Sequence, residues 1–350
     1  MNLCPARLEP VFHTRPWGAP SLAPLFPQMT NLPEPIGEAW MTSNKSRFAD
    51  GPFAGQTLGH AWPAMPPAWT GTRIPRGGAF PLLVKFIFAE EKLSVQVHPD
   101  DSYASHHEQA AGGRGKTEMW YTLQARPGAS VLVGLKPAVT REAFELAISD
   151  GTAEECLERV SLGEGDAVFV PAGTAHTIGP GLVLCEIQQH SDLTYRVYDY
   201  NRRDSQGRSR PLHIEKALEV TRFGPQVGGK LEPLQLNRGS ATETYLVSCP
   251  YFATEHWDFS GRLGASTAPE HFDLFIFLRG QGTISWGRER AAYAPAQVWM
   301  LPAALGGYAL ESEARTSLLR TYVPSDAAEL ARRLAAHGVP EAQSSRLIYR

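Results

Sequence analysis

The sequence contains no apolar run near the roughly 18 residues that a membrane-spanning helix needs, so a membrane partner is not expected. It has no excess of basic residues. Lys and Arg number 33 against 36 Asp and Glu, a net charge of −3, which argues against nucleic acid as a partner. No basic segment followed by an apolar stretch opens the chain, so no secretory signal is visible. Cysteine is scarce. Cys4, Cys156, Cys185 and Cys249 are scattered and form no C-x-x-C pair, which fits reduced thiols and a cytoplasmic location. Helical periodicity is also scarce. Glycine and proline are abundant, at 32 and 28 of 350 residues, and they are spread along the chain rather than gathered into a linker. That pattern means many tight turns and favours a strand-rich fold of one or two domains.

Residues 1–80 are rich in Gly and Pro, with Trp17, Trp40, Trp62 and Trp69 between them, and read as an irregular wrapping segment with short strands. LLVKFIF and SVQVH (within 80–98), EMWYTL (118–123) and ASVLVGL (129–135) read as strands. Helices are expected after Thr140, over 214–220 and within 326–340, where Gly338 and Pro340 supply the stop. Thr152 and Glu155 have capping-box spacing. From about 240 to 324, strand-like segments alternate with turns. AAGGRGKT (110–117) imitates a phosphate-binding loop. However, a polar segment precedes it and a strand pattern follows, where such a loop needs a buried strand and then a helix.

Four residues suggest a metal site. Gln96 and His98 lie two apart in SVQVHPD and face the same side of a strand, which Pro99 ends. Glu118 heads the next strand and can join them if that strand is a neighbour. His176 follows Gly165, Pro171 and Gly173 in the pattern G-x5-P-x-G-x2-H, a short buried strand between two tight turns. A lone Gln-x-His is more often an ordinary half-buried pair. Two nitrogens and two oxygens together suit Zn²⁺ with an open position, and Mn, Fe, Co or Ni are also acceptable. The remaining histidines lack ligand spacing.

The second motif resembles that of the cupins, which are jelly rolls of antiparallel strands. FPLLVKFIFAEEKLSVQVHPDD (80–101), GKTEMWYTL (115–123), VPAGTAHTIGPGLVLCEIQQ (170–189) and SDLTYRVYDYNR (191–202), with RPWG (15–18), GEAWMTS (37–43) and GPFAGQTL (51–58), resemble a narrower family, the type I mannose-6-phosphate isomerases of short bacterial type. The resemblance covers most of residues 10–220 in order. It implies a mainly β fold of two cupin-like jelly-roll domains with a few short helices. Residues 1–235 would form the metal-binding catalytic domain, with the wrapping segment and a helical insertion. Residues 236–350 would form a degenerate second cupin with a C-terminal helix, because Pro302, Ala304 and Gly307 stand where a ligand-bearing copy has P-x-G-x2-H.

The resemblance further implies that Gln96, His98, Glu118 and His176 hold one zinc per chain, that Arg196 and Lys116 act in catalysis, and that Lys85, Trp17 and Glu186 contact substrate. Gln188 alternates with Glu186 and can share its face. Lys85, Lys116 and Arg196 are the cations expected for a phosphate. The implied reaction interconverts mannose 6-phosphate and fructose 6-phosphate through a cis-enediol, with a small sugar phosphate as partner and a monomer or homodimer as assembly. The competing readings are a cupin isomerase acting on glucose 6-phosphate and a non-catalytic sugar-binding cupin.

Overall fold

The computed structural model describes residues 2–23, 25–74, 78–203, 206–326 and 328–350. The chain is mainly β, and every pair of named strands is antiparallel. Its first half contains β1 (Ala6–Leu8), β2 (Val11–Ala19), β3 (Ile36–Trp40), β4 (Leu82–Ala89), β5 (Val95–Val97), β6 (Glu118–Ala125) and β7 (Ser130–Leu135). There follow β8 (Leu157–Ser161), β9 (Ala167–Val170), β10 (His176–Ile178), β11 (Leu182–Gln189), β12 (Tyr195–Tyr198) and β13 (Gly229–Lys230). Strands β2–β13 build a seven-stranded sheet in the order β13-β9-β6-β11-β4-β3-β2 and a five-stranded sheet in the order β12-β5-β10-β7-β8.

The two-residue period of a strand sorts the side chains of the seven-stranded sheet. Ile87 and Ala89 on β4, Trp120 on β6, and Leu182 and Leu184 on β11 pack with Val131, Val133 and Ile178 of the five-stranded sheet. Their sequence neighbours Phe86, Phe88, Met119, Tyr121, Cys185 and Ile187 face the opposite way, into a core shared with the C-terminal sheet. Both faces of β4, β6 and β11 are therefore covered, which is why these strands read as continuous apolar runs. The outer face of the five-stranded sheet is covered by the helices Arg141–Ser149 and Ile214–Val220, through Phe144, Ile148, Ala217 and Leu218.

The C-terminal sheet contains β14 (Leu234–Arg238), β15 (Ala241–Ser248), β16 (Ala253–Ser266), β17 (Asp273–Arg279), β18 (Gly282–Trp286), β19 (Glu289–Tyr293), β20 (Val298–Leu301) and β21 (Gly307–Tyr322). Strand β1 also belongs to it: Ala6 pairs with Met300 and Leu8 with Val298. The start of the chain thus adds an edge strand to the sheet built by its far end. No helix among the described residues is long and apolar enough to cross a membrane.

One local expectation changes. The capping-box spacing at Thr152 does not start an α-helix. It precedes one 3₁₀ turn, Ala153–Cys156, with no side-chain cap bond, and the chain then enters β8. By contrast Thr140 caps its helix, its Oγ1 accepting from Ala143 N at 3.2 Å. The C-terminal helix runs from Glu329 to Ala336. Position 327 of the expected segment lies outside the described residues.

The C-terminal half buries charge in pairs. Arg320 donates to Asp273 at 3.0 Å, Arg333 donates to Glu255 at 2.6 Å, and His271 lies 3.2 Å from Glu329 and 3.4 Å from Asp273. Burial alone would lower the His271 pKa, and Arg320 also opposes its charge. Asp273 and Glu329 outweigh both and raise it to about 9. A pKa raised above the unfolded value of 6.5 stabilises the fold fully below pH 6.5 and loses that contribution as pH climbs through 9. The urea midpoint is expected to fall between pH 6.5 and 9.5 by the equivalent of about 2–3 kcal/mol, with Asp273, Glu329, Arg320 and the stacked Tyr322 ring facing the imidazole. His271→Gln should flatten that slope. An unchanged slope in the variant would overturn the assignment.

Candidate active site and metal centre

The presumed strand neighbourhood of Glu118 needs correcting. β6 is in the seven-stranded sheet, whereas β5 and β10 are in the five-stranded one. Glu118 therefore reaches the histidines across the sandwich rather than from an adjacent strand. Within the five-stranded sheet, His176 is directly opposite Gln96. The two motifs are also tied by backbone, since Gly173 N donates to His98 O at 2.8 Å. Gly173 has φ +85°, and a Cβ there would stand 2.9 Å from Val220 O, so a side chain would disturb the turn that presents His176.

His98, Glu118 and His176 are buried, and their ligand atoms all lie within 4.8 Å of one another. His98 Nδ1 donates to Leu193 O at 2.7 Å and His176 Nδ1 to Thr174 O at 2.9 Å. A carbonyl only accepts, so both rings carry the Nδ1 proton and turn a bare Nε2 inward. Burial, with Lys116 adding to it, holds the His98 pKa well below 6.5, and burial brings that of His176 down to about 4. The Nε2 atoms stand 3.5 and 3.4 Å from the two oxygens of Glu118. Neither oxygen receives a well-aligned hydrogen bond. Lys116 offsets the repulsion between the His98 lone pair and Oε2, but the His176 lone pair faces Oε1 at 3.4 Å with no cation beside it among the described residues, and this donor set fits a divalent metal. Gln96, expected from the sequence as the fourth donor, lies beside the two histidines. Its amide nitrogen is 3.2 Å from His176 Nε2, and a half-turn of the amide presents Oε1 instead.

Lys116 stands beside this group, with Nζ 2.6 Å from Glu118 Oε2, 3.1 Å from His98 Nε2 and 3.9 Å from Glu186. The β4–β11 register sets Lys85 opposite Glu186, and their ion pair measures 3.2 Å. Trp120 Nε1 donates to the same carboxylate at 3.2 Å. Burial would raise the Glu186 pKa, but Lys116 and Lys85 override it and keep the carboxylate ionised far below its ordinary value. Burial likewise opposes the charge on Lys85, and Glu186 restores it. Burial pushes Glu118 upward against the pull of Lys116.

Lys85, Lys116 and Glu186 face a cavity of about 470 Å³, within the range of small-molecule sites, with His98, Glu118 and His176 buried behind them. Trp17, Lys85, Gln96, Lys116, Glu186 and Arg196 all line it. Arg196 pairs with Gln96 in the β12–β5 register and donates from Nε to Ser94 Oγ at 3.2 Å. Gln188 shares the face by register, opposite Glu118, but its amide is engaged with the carbonyls of Gln189 and Ser191. Sequence reasoning overlooked Arg15, Glu38, Arg210 and His213, which also line the cavity. Arg15 and Glu38 sit inside the strings RPWG and GEAWMTS and pair at 2.7 Å. His213 accepts from the Arg196 backbone N–H at 3.3 Å.

Comparison with known proteins agrees with this geometry. Residues 6–121 match the family model for the catalytic domain of type I phosphomannose isomerase. The chain is 38% identical over 311 residues, 88% of its length and 96% of the relative's, to a Bacillus subtilis (strain 168) protein named "Probable mannose-6-phosphate isomerase GmuF". The crystal structure of the mannose 6-phosphate isomerase from Bacillus subtilis superposes with a TM-score of 0.82 at 31% identity, covering 91% of this chain and 99% of that one. A mannose 6-phosphate isomerase structure described as holo and zinc-bound shares the fold at a TM-score of 0.71 and 17% identity, covering 91% of this chain and 99% of that one. The chain belongs to the type I mannose-6-phosphate isomerase family.

Proposed function

We propose that the protein interconverts mannose 6-phosphate and fructose 6-phosphate. The observation that carries this reading is the buried cluster of two neutral histidines and a carboxylate directly behind Lys116, Gln96 and Glu186, which line one cavity. Gln96, His98, Glu118 and His176 would hold one divalent ion per chain. Zinc is favoured by the mixed nitrogen and oxygen donors and by the metal named for the related holo structure. When bound, such an ion supplies Lewis-acid stabilisation of negative charge on sugar oxygens, worth several kcal/mol.

The chain's own groups supply the rest. The open sugar loses its C2 proton to a base, and the proton returns to C1 on the same face of a cis-enediol. We assign Lys116 the proton-handling role, because its Nζ touches the ligand set and stands near Glu186. Lys85, held charged by Glu186, would orient sugar oxygens, and Trp17 would wall off water from one side. Arg196, whose guanidinium rarely deprotonates, contributes charge. The four free cysteines fit the cytoplasm, and the domain division is placed near residue 235.

A coupled assay with mannose 6-phosphate and glucose 6-phosphate side by side tests this. The expected result is turnover of mannose 6-phosphate that EDTA abolishes and zinc restores. Preference for glucose 6-phosphate, or tight binding of a sugar phosphate without turnover in any metal form, would overturn it.

A further inference from the structure

We propose that Asp199 and Arg210 form, beside Arg196, the clamp for the phosphate end of the substrate, with Arg210 gripping the phosphate and Asp199 positioning Arg210. The inference rests on the sugar-phosphate reading above and deepens it.

Charge is distributed unevenly in the cavity. At the floor each lysine has a carboxylate partner, Lys85 with Glu186 and Lys116 with Glu118, and Asp192 stands 3.7 Å from Lys85. On the near side Arg15 is paired with Glu38. At the lip that carries Arg196 the balance differs. Among the described residues no carboxylate lies within 4 Å of Arg196; its hydrogen bonds go to Ser94 Oγ and, at 3.1 Å, to Pro211 O. That second bond seats its guanidinium against the backbone next to Arg210, so two guanidinium groups share one lip and line the same cavity.

Among the described residues Asp199 is the one carboxylate that pairs with these arginines, and two of them share it. Arg210 donates from Nε to Oδ2 at 2.8 Å and from a terminal nitrogen to Oδ1 at 2.5 Å, a bidentate fork, and Arg202 donates to Oδ1 at 2.8 Å. Arg202 is itself anchored to Lys92 O at 2.7 Å. Arg202 shares the charge of Asp199 from outside the cavity, so the two guanidinium groups that line it, Arg196 and Arg210, keep a net positive charge that complements a phosphate carrying roughly −1.5 to −2 at neutral pH. Asp199 is only 6% exposed. The chain directly after it adopts the left-handed region at two consecutive non-glycine residues, Tyr200 (φ 56°) and Asn201 (φ 54°). Backbone strain of this kind persists where the surroundings impose it and gathers at binding sites. Here it turns the chain sharply between Asp199 and Arg202 so that both converge on one point.

Titration calorimetry on the zinc-loaded protein with fructose 6-phosphate, fructose and inorganic phosphate tests the clamp. Arg210→Gln is expected to raise the Kd for fructose 6-phosphate and for phosphate about 10–50-fold, since a charge-assisted bidentate contact is lost, and to narrow discrimination against fructose by a similar factor. Arg210→Lys should recover part of this, and Asp199→Asn should weaken binding about 5–10-fold with the guanidinium still present. The proposal is overturned if Arg210→Gln, or Arg210→Lys should the former not fold, melts like the wild type and keeps both Kd values within about twofold. Arg210-dependent binding of fructose 6-phosphate without any turnover would sink the isomerase reading and leave the clamp standing. Turnover with no dependence on Arg210 would do the reverse.

Discussion

Replacing His98 with alanine is expected to strip the protein of its metal and to lower turnover of mannose 6-phosphate by about 10³-fold or more, the equivalent of roughly 4 kcal/mol of lost transition-state stabilisation. The size of the effect follows from geometry. His98 Nε2 and His176 Nε2 face opposite oxygens of one buried carboxylate at 3.5 and 3.4 Å, and both rings are fixed from behind by backbone carbonyls. Removing one ring leaves two strong donors and the weaker amide of Gln96. Gln96→Ala should therefore lose less, about 10–100-fold in metal affinity. Elemental analysis of purified variants, with circular dichroism to establish folding, checks both. A folded His98→Ala protein that retains one zinc per chain would remove His98 from the ligand set.

Different parts of this site were legible in the sequence to different degrees, for physical reasons. Residues joined by short-range rules could be read directly. Gln96 and His98 share a face because strand period is two, and the glycines around His176 announce tight turns. Lys85 and Glu186 could be nominated separately but not paired, because their pairing depends on the β4–β11 register across a hundred residues of chain. Glu118 was joined to the histidines on the condition that its strand be their neighbour, a condition the sheet order does not meet. Only the stacking of the two sheets shows that it approaches from the opposite side. Arg210 lies in a polar loop, QGRSRPLH, with no periodicity to mark it, and its proposed role depends on Asp199, to which it is joined by a bidentate pair just before the left-handed turn at Tyr200. The fold was legible to a similar depth. The apolar runs identified most of the strands, while the joining of the three-residue β1 to the C-terminal sheet left no local signal. Thr152 shows the converse: a capping pattern is a local preference, and the pairing of β8 with β7 outweighed it.

Glu186→Gln is expected to cost about 3–5 kcal/mol of stability and most of the activity. The substitution keeps the size of the side chain and can keep the contact from Trp120, so it removes only the charge. Glu186 is the buried counter-charge of Lys85 at 3.2 Å and stands 3.9 Å from Lys116. The other acid near Lys85 is Asp192, at 3.7 Å and 61% exposed, where water screens it. Breaking one side of a buried ion pair strands the other charge, and measured penalties for this run at about 3–5 kcal/mol. Chemical denaturation of wild type and variant reads the loss. The double variant Glu186→Gln with Lys85→Met separates charge from shape. Removing both partners of a buried pair is often neutral, so stability should return to within about 1–2 kcal/mol of wild type, a coupling that a double-mutant cycle measures. Activity should not return with it if the pair has the proposed role of orienting the sugar over Lys116, because the pair is then gone. Recovery of both stability and turnover would show that the pair is structural only. A stable, inactive single variant would show that Lys85 sheds its proton rather than remain charged without a partner.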